Sequence, residues 1–287
     1  MAGGWALIVF AHQNPASFNA AVRDAAVQEL EAQGFKVVVS DLYAMKFRAS
    51  ATKDDIIGDL KNPDKFQYGE ETMLAWKDGR LSEDIRQEQD KVKQADLIIF
   101  QVRGHKSVSF PMYWFSVPAI LKGWIDRVLT QGFAFSLQNM YSNGIFRGKK
   151  AMLSFTTGST QSMCSPDGIN GDINVVLWPL QNGTLNFCGF QVLAPQIFWG
   201  PGHCPPDVRA KLLEGWRARL KGLLEENPLT FPPCEFFDLS FMAGFKLKQE
   251  VREEQACQPF GISTGHHLGK PLPPDNQTKA PPTGSKK

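Results

Sequence analysis

The chain begins with a continuous apolar run that is followed by a segment of helical period. The run Trp5–Ala11 carries no charged residue, which is typical of a strand buried on both faces of a parallel sheet. From Ser17 onward apolar residues recur at steps of three and four until Gly34, which predicts an amphipathic helix with Ser17 as its N-cap. Residues 35–42 return to strand character, so this part of the chain predicts a βαβ unit with a right-handed crossover.

The same alternation continues along the chain. Further strands are predicted over residues 96–101, 149–156 and 191–198, and further helices over residues 82–93, 118–132 and 206–226. Alternating strands and helices predict the α/β class, here a flavodoxin-like open sheet of five parallel strands with helices on both faces.

The composition shifts past Asn227. Residues 228–270 are rich in phenylalanine and show little strand alternation, which predicts a small carboxyl-terminal appendage that packs by aromatic burial. Residues 271–287 hold five prolines and predict a disordered tail. We therefore expect a main α/β domain over residues 1–227, followed by the appendage and the tail.

Charge and composition exclude several classes of protein. The 31 Lys and Arg residues nearly balance the 29 Asp and Glu residues, and the formal net charge of +2 argues against nucleic-acid binding. The longest apolar runs fall short of the roughly 20 residues that cross a bilayer, so no membrane partner is expected. The amino terminus lacks the basic region of a signal peptide, and five widely spaced cysteines suit reduced thiols, which together predict a cytoplasmic protein. The histidines and cysteines are too scattered to predict a metal site.

Three loops at the predicted carboxyl edge of the sheet carry candidate binding residues. The loop over 12–19 opens into a helix whose free N–H groups favour an anion such as phosphate, although helix capping by Ser17 explains the same residues equally well. The loop over 110–115 is aromatic and suits a planar heterocycle such as a flavin, and the loop over 156–162 is small and rich in hydroxyls. Ligands bind at this edge of an open parallel sheet, so the coincidence of the three loops favours a binding site.

Several sequence blocks resemble those of the cytosolic NAD(P)H:quinone oxidoreductases, the FAD-dependent two-electron quinone reductases also called DT-diaphorases. The blocks are ALIVFAH with SFN (6–12, 17–19), DLYAM (41–45), FQY (66–68), WF with VPAILKGW (114–115, 117–124), TTG (156–158), LWP (177–179), FCGF (187–190) and GHHLGK (265–270). The resemblance spans residues 5–270, and the aromatic appendage is similar to that of the longer members of the family.

The resemblance implies an FAD-binding catalytic domain that uses NADH or NADPH and a small-molecule quinone in turn, with hydride passing through flavin N5. It also implies a homodimer in which the second subunit completes the active site. The residues that correspond to FAD contacts are His12, Ser17, Phe18, Asn19, Gln67, Met112, Tyr113, Trp114, Phe115, Thr156, Thr157, Gly158, Ser159 and Arg209. The residues that correspond to the wall of the substrate site are Phe135, Ser136, Leu137, Phe241 and Phe245.

Two residues at the implied catalytic position depart from the family pattern. Cys164 stands where the family has a tyrosine, and Asn170 stands where the longer members often have a histidine. The family side chains are thought to steady charge on the flavin during hydride transfer, so their loss predicts a reaction slower by ~10- to 1000-fold. The alternative is a flavin-binding or empty homologue that acts as an interaction or sensor module.

Other departures concern the pocket wall and the flavin bed. Phe135 and Leu137 replace tyrosines of the longer members, which predicts an apolar pocket that favours lipophilic quinones. Residues 102–109 are inserted before the aromatic loop. This insertion either bulges outward or displaces the aromatic residues against which the flavin ring would lie. Two metal-ligating histidines of the shorter members correspond to Asn182 and Asn186, so the resemblance implies no metal here.

Overall fold

The computed structural model describes residues 3–102, 114–274 and 277–280. The strands within these residues are β1 (Trp5–Ala11), β2 (Lys36–Asp41), β3 (Leu97–Val102), β4 (Lys150–Thr157), β5 (Gln191–Val192) and β6 (Gln196–Trp199). The α-helices are α1 (Phe18–Ala32), α2 (Tyr68–Lys77), α3 (Glu83–Gln94), α4 (Ala119–Val128), α5 (Ile173–Leu180), α6 (Pro206–Lys221) and α7 (Gln249–Ala256).

The strands form one parallel sheet in the order β2-β1-β3-β4-β5, with β6 also paired to β4. This is the strand order of flavodoxin-like folds, so the predicted fold class is confirmed. The order reverses between β1 and β3, which places a crevice at the carboxyl ends of the central strands.

The predicted fifth strand over residues 191–198 is two short strands in the structure. β5 pairs with Lys150 and Ala151 at the start of β4, whereas β6 pairs with the last four residues of β4. Pro195 lies between them and has no N–H group to donate to a ladder, so the pairing is interrupted there.

Two apolar clusters pack on opposite faces of the sheet. The larger cluster includes Trp124 of α4, and the smaller includes Trp216 of α6; both indoles are fully buried. Each indole N–H has a partner, since Trp124 donates to Glu88 Oε2 at 2.7 Å and Trp216 donates to the carbonyl of Val22 at 3.2 Å. Helices therefore cover both faces, as the sequence predicts.

A buried ion pair fixes α4 against the segment that follows β2. Arg127 has no exposed surface and donates from Nε and Nη2 to the two carboxylate oxygens of Asp55, at 3.1 and 2.9 Å. Tyr68 donates to the same carboxylate at 2.7 Å. One turn before Arg127, the α carbon of Gly123 lies so close to the chain that an added Cβ would stand 2.2 Å from the carbonyl oxygen of Ala49.

The carboxyl-terminal appendage is held by its last lysine. Lys270 donates from Nζ to the carbonyls of Ala256 and Gln258, at 2.9 and 2.7 Å, and so closes the carboxyl end of α7. Beyond Lys270 the described residues differ from the disordered tail that composition predicts. Gln277 is fully buried and Ala280 packs against the larger core cluster.

Candidate functional site

A cavity of about 470 Å³ opens at the carboxyl edge of the sheet, where the sequence predicts a binding site. Its walls come from the start of α1, the end of β4, the loop after β6 and the first turns of α6. The lining residues are Asn14, Ala16, Ser17, Phe18, Asn19, Ala21, Thr156, Thr157, Gly158, Pro201, Gly202, His203 and Arg209.

The first turn of α1 presents hydrogen-bond donors to this cavity. Ser17 is the N-cap, and its hydroxyl accepts from the N–H of Ala20 at 3.2 Å. No group in the described residues accepts a hydrogen bond from the N–H of Phe18 or Asn19. These N–H groups lie at the positive end of the helix dipole, so the site both caps the helix and offers donors to an anion.

Asn19 is buried and ties α1 to two strands of the sheet. Its Nδ2 donates to the hydroxyl of Thr156 on β4 at 3.2 Å, and its carbonyl accepts from Nε2 of Gln101 on β3. Gln101 has no place among the sequence-predicted site residues because it lies inside an apolar strand. The start of α1 is therefore fixed relative to the carboxyl ends of β3 and β4.

The end of β4 supplies the opposite wall. Thr156 and Thr157 are buried and Gly158 is half-buried, and all three line the cavity. Ser159 lies behind them with no exposed surface, and its N–H donates to Thr157 Oγ1 at 3.0 Å. A glycine at the lip lets a ligand approach the backbone closely.

Arg209 brings a positive charge to the cavity from α6. Its guanidinium donates to the carbonyl of Cys204 at 2.8 Å, which orients it over the loop after β6. His203 of that loop also lines the cavity and was missed by sequence reasoning, which had no spacing signal to single it out. None of the described residues that line the cavity is acidic.

Cys164 and Asn170 lie together behind the end of β4. Asn170 donates from Nδ2 to Ser159 Oγ at 3.0 Å and to Cys164 Sγ at 3.7 Å. Burial raises the pKa of the Cys164 thiol, although hydrogen bonds with Asn170 and Ser159 act in the opposite direction. The thiol therefore stays protonated at neutral pH and offers no fixed charge.

The other predicted cofactor contacts that the structure describes do not line this cavity. His12 is buried at the end of β1, where its Nδ1 accepts from the N–H of Asn14 at 2.7 Å. Gln67 is the residue before α2 and lies outside the cavity in this chain. Trp114 is 80% exposed and Phe115 is half-buried, both with positive φ. Met112 and Tyr113, with the predicted insertion except Val102, lie outside the described residues.

The predicted substrate residues are divided among three places. Leu137 and Phe245 line an apolar cavity of about 430 Å³ between the segment after α4 and the appendage. Phe241 is 81% exposed, and its ring contacts that of Phe245 with centroids 5.2 Å apart. Phe135 borders a separate depression beside α2, and Ser136 bonds to Asn139. One chain therefore does not bring these residues to the cavity at the sheet edge.

His266 also lines the apolar cavity. Its ring lies against the rings of Trp178 and Phe237, and its Nδ1 is 2.9 Å from the hydroxyl of Ser263. Burial lowers the pKa of His266, so the ring is neutral at pH 7.

The donor set fits a flavin nucleotide at the sheet edge. Two N–H groups, a guanidinium and the positive end of the helix dipole face a space whose described lining has no acidic residue, which suits one or two phosphate groups. Within residues 3–102, 114–274 and 277–280, no three His, Cys, Asp or Glu side chains are arranged to hold a metal ion. In the same residues no helix is long and apolar enough to cross a membrane. Asn186 donates to Asn182 Oδ1 at 3.0 Å, where shorter relatives of the predicted family place histidines.

Comparisons with known proteins agree with this geometry. A family model described as "Flavodoxin-like fold" matches residues 6–221. The chain is 55% identical over 275 residues to NAD(P)H dehydrogenase [quinone] 1 of Cavia porcellus, with 96% of this chain and 97% of that protein covered. It is 52% identical over 234 residues to ribosyldihydronicotinamide dehydrogenase [quinone] of Homo sapiens, with 82% and 96% covered.

A solved structure supports the same relationship. A crystal structure from Klebsiella pneumoniae, described as that of a quinone reductase, superimposes with a TM-score of 0.79 at 34% identity. The match covers 92% of this chain and 99% of the bacterial one. Because fold, sheet-edge cavity and sequence identity over nearly the whole chain agree, this protein belongs to the NAD(P)H dehydrogenase (quinone) family of flavodoxin-like proteins.

Proposed function

We propose that this protein is an FAD-dependent oxidoreductase that takes reducing equivalents from NADH or NADPH and reduces quinones by two electrons. The observation that carries the proposal is the cavity at the carboxyl edge of the sheet, whose described lining holds no acidic residue and has the start of α1 and Arg209 on its walls. Family membership supports a flavin and NAD(P)H as reaction partners. We propose FAD as the flavin because Arg209 adds a cation to the N–H groups of α1, and a second anionic group such as the second phosphate of FAD would bind there.

Each wall of the cavity has a task in binding. The bound flavin supplies the hydride chemistry between NAD(P)H and the quinone. The N–H groups of Phe18 and Asn19 would hold phosphate oxygens, and Arg209 would neutralise their charge. The backbone at Gly158 leaves room on the opposite wall for the rest of the flavin. The Asn19–Thr156 hydrogen bond keeps the two walls at a fixed separation.

We further propose that the reaction is slower than in relatives with a tyrosine at position 164. Cys164 is buried and protonated, and the side-chain amide of Asn170 donates hydrogen bonds to Ser159 and to Cys164 itself. Neither side chain offers a phenol or an imidazolium to the site. A Cys164→Tyr variant is expected to raise turnover by roughly tenfold, as when one electrostatic group is restored. An unchanged turnover in a folded variant contradicts this part of the proposal.

The proposal includes a homodimer and a cytoplasmic location. Apolar side chains are strongly exposed at Trp114, Ile169, Phe241 and Met242, with 80, 88, 81 and 100% of their surface accessible. Phe241 and Met242 are neighbours in the chain, and this exposed apolar pair supports association with a second copy. Gln67 and Phe241 do not line the sheet-edge cavity of their own chain, so in this proposal they act from the other subunit.

The test is the flavin content and activity of the purified full chain. After incubation with FAD and removal of the excess, we expect about one flavin per chain, bleaching by NADH or NADPH without oxygen, and recovery of colour with a quinone. FMN in parallel tests the choice of flavin. A folded protein that retains neither flavin contradicts the proposal and favours the interaction or sensor module. Comparison of a polar with a lipophilic quinone tests the preference expected from Phe135 and Leu137.

A further inference from the structure

The end of the described chain occupies a groove on the catalytic domain. The N–H of Gln277 donates to Oδ1 of Asn174 at 3.0 Å, and this hydrogen bond is buried. Asn174 is only 5% exposed and Gln277 has no exposed surface. Ala280 continues into contact with the larger apolar cluster. A proline-rich end with this degree of burial has a defined place on the domain.

Asn174 links this end to the loop behind the candidate flavin site. The N–H and the Nδ2 of Asn174 both donate to Oδ1 of Asp172, at 2.9 and 2.7 Å, and Asp172 is the N-cap of α5. Two residues earlier in the chain, Asn170 bonds to Ser159 at the end of β4. Two sets of hydrogen bonds, joined by the short stretch of chain over residues 170–172, therefore link Gln277 to Ser159 at the end of β4.

The chain end and Cys164 also line one cavity. A cavity of about 800 Å³ lies between the chain end and the domain, and its lining includes Cys164, Trp199, Pro271, Pro274 and Lys279. Cys164 is 3% exposed. The carboxyl-terminal residues form one side of this cavity, and the loop with Cys164 forms the other.

We propose that residues 277–280 position the loop over 159–172 at the flavin site, with Asn174 and Gln277 as positioning residues. The inference rests on the proposed function only in taking the end of β4 as the wall of a flavin site. The chain end supplies one backbone donor that satisfies Asn174, and Asn174 in turn holds the N-cap of α5 in place. Without that donor the start of α5 and the loop before it gain freedom, because a buried amide oxygen loses its partner.

The experiment compares two truncations and two point variants of the full chain. One truncation ends at Pro274 and removes the segment, and its matched control ends at Ala280 and removes only residues 281–287. Gln277→Pro removes the N–H donor, whereas Thr278→Ala at the half-buried next residue keeps it. Labelling of Cys164 by iodoacetamide is followed by mass spectrometry, with the exposed Cys257 as internal reference. Flavin affinity is measured on the same samples by fluorescence quenching, and circular dichroism checks folding.

We expect the Pro274 truncation and Gln277→Pro to label Cys164 about tenfold faster and to bind flavin several-fold more weakly, as for the loss of one buried hydrogen bond. The Ala280 truncation and Thr278→Ala should stay within about twofold of the full chain, as expected when that bond is kept. Labelling and flavin affinity that do not change in either of the first two variants overturn the inference. Faster labelling with unchanged flavin affinity also overturns it, because the segment then covers the thiol without positioning the loop.

The proposed function can fail separately. If the full chain binds no flavin, the function is wrong, and amide hydrogen exchange of residues 159–172 then decides the positioning role. Faster exchange there in the Pro274 truncation and in Gln277→Pro supports it, and unchanged exchange refutes it. If the full chain binds flavin and all four variants behave alike, the function stands and the positioning role is refuted.

Discussion

Replacing Arg209 by glutamine tests which part of a ligand the sheet-edge cavity binds. Arg209 is half-buried and brings the guanidinium charge into a cavity whose described lining holds no carboxylate. A hydrogen bond to a charged group contributes ~1.5–3 kcal/mol when well shielded, and partial exposure reduces this to about 1–2 kcal/mol. Arg209→Gln should therefore weaken FAD binding by roughly 5- to 30-fold.

The assay separates the phosphate from the ring. Dissociation constants are measured by flavin fluorescence for FAD, FMN and lumiflavin, which has no phosphate, at low and moderate salt. The loss should be greatest for FAD, small for lumiflavin, and reduced as salt screens the charge. Arg217→Gln is the matched control, because Arg217 lies on the same helix and bonds to exposed Gln28 at 2.7 Å. Equal losses for FAD and lumiflavin, or no loss for FAD, refute the placement of the phosphates between α1 and α6.

Three other perturbations have defined outcomes. Gly158→Trp should abolish flavin retention because the side chain fills the lip of the cavity, and an unchanged flavin-to-protein ratio contradicts that placement. Arg127→Met should lower the free energy of unfolding, measured in urea, by ~3–5 kcal/mol, because it leaves the buried carboxylate of Asp55 without its main partner. Lys122→Ala on the exposed face of the same helix should lower it by under ~0.5 kcal/mol. Similar losses in the two variants would contradict the role of the buried ion pair. The pKa of His266 in the folded protein is lowered below its ordinary value of 6.5. Between these two values the unfolded state binds more protons, so the free energy of unfolding falls as the pH decreases. His266→Gln should reduce this loss of stability and His267→Gln should retain it, and identical pH profiles of the two variants would contradict a contribution from His266.

Local patterns were enough to predict the elements that carry the site. The apolar run of β1, the three- and four-residue period of α1 and the cap at Ser17 all agree with the structure, because burial and capping act over short stretches of chain. The same reasoning missed α2, α5 and α7. α5 is apolar around most of its circumference and contains Pro179, whereas α7 is mostly charged, so neither shows a clear amphipathic period.

The candidate site was predicted in part for a similar reason. Ser17, Asn19 and the threonines of β4 meet because parallel strands end at one edge, which follows from topology alone. His203 and Gln101 join the site through a loop and a strand interior, and no spacing rule indicates either. The packing of residues 277–280 could not be predicted from composition either. The buried N–H of Gln277 depends on an acceptor, Asn174, that only the tertiary structure brings close to it.

The close approach at Gly123 limits how this part of the molecule can change over evolutionary time. Any side chain at that position meets the carbonyl of Ala49, and the collision pushes α4 outward one turn before Arg127. A displacement there would pull the guanidinium of Arg127 away from the carboxylate of Asp55. A single methyl group added at Gly123 would therefore disrupt both the packing of α4 and the buried ion pair. In a saturation library this codon should therefore accept no replacement, while the neighbouring Lys122 tolerates nearly all.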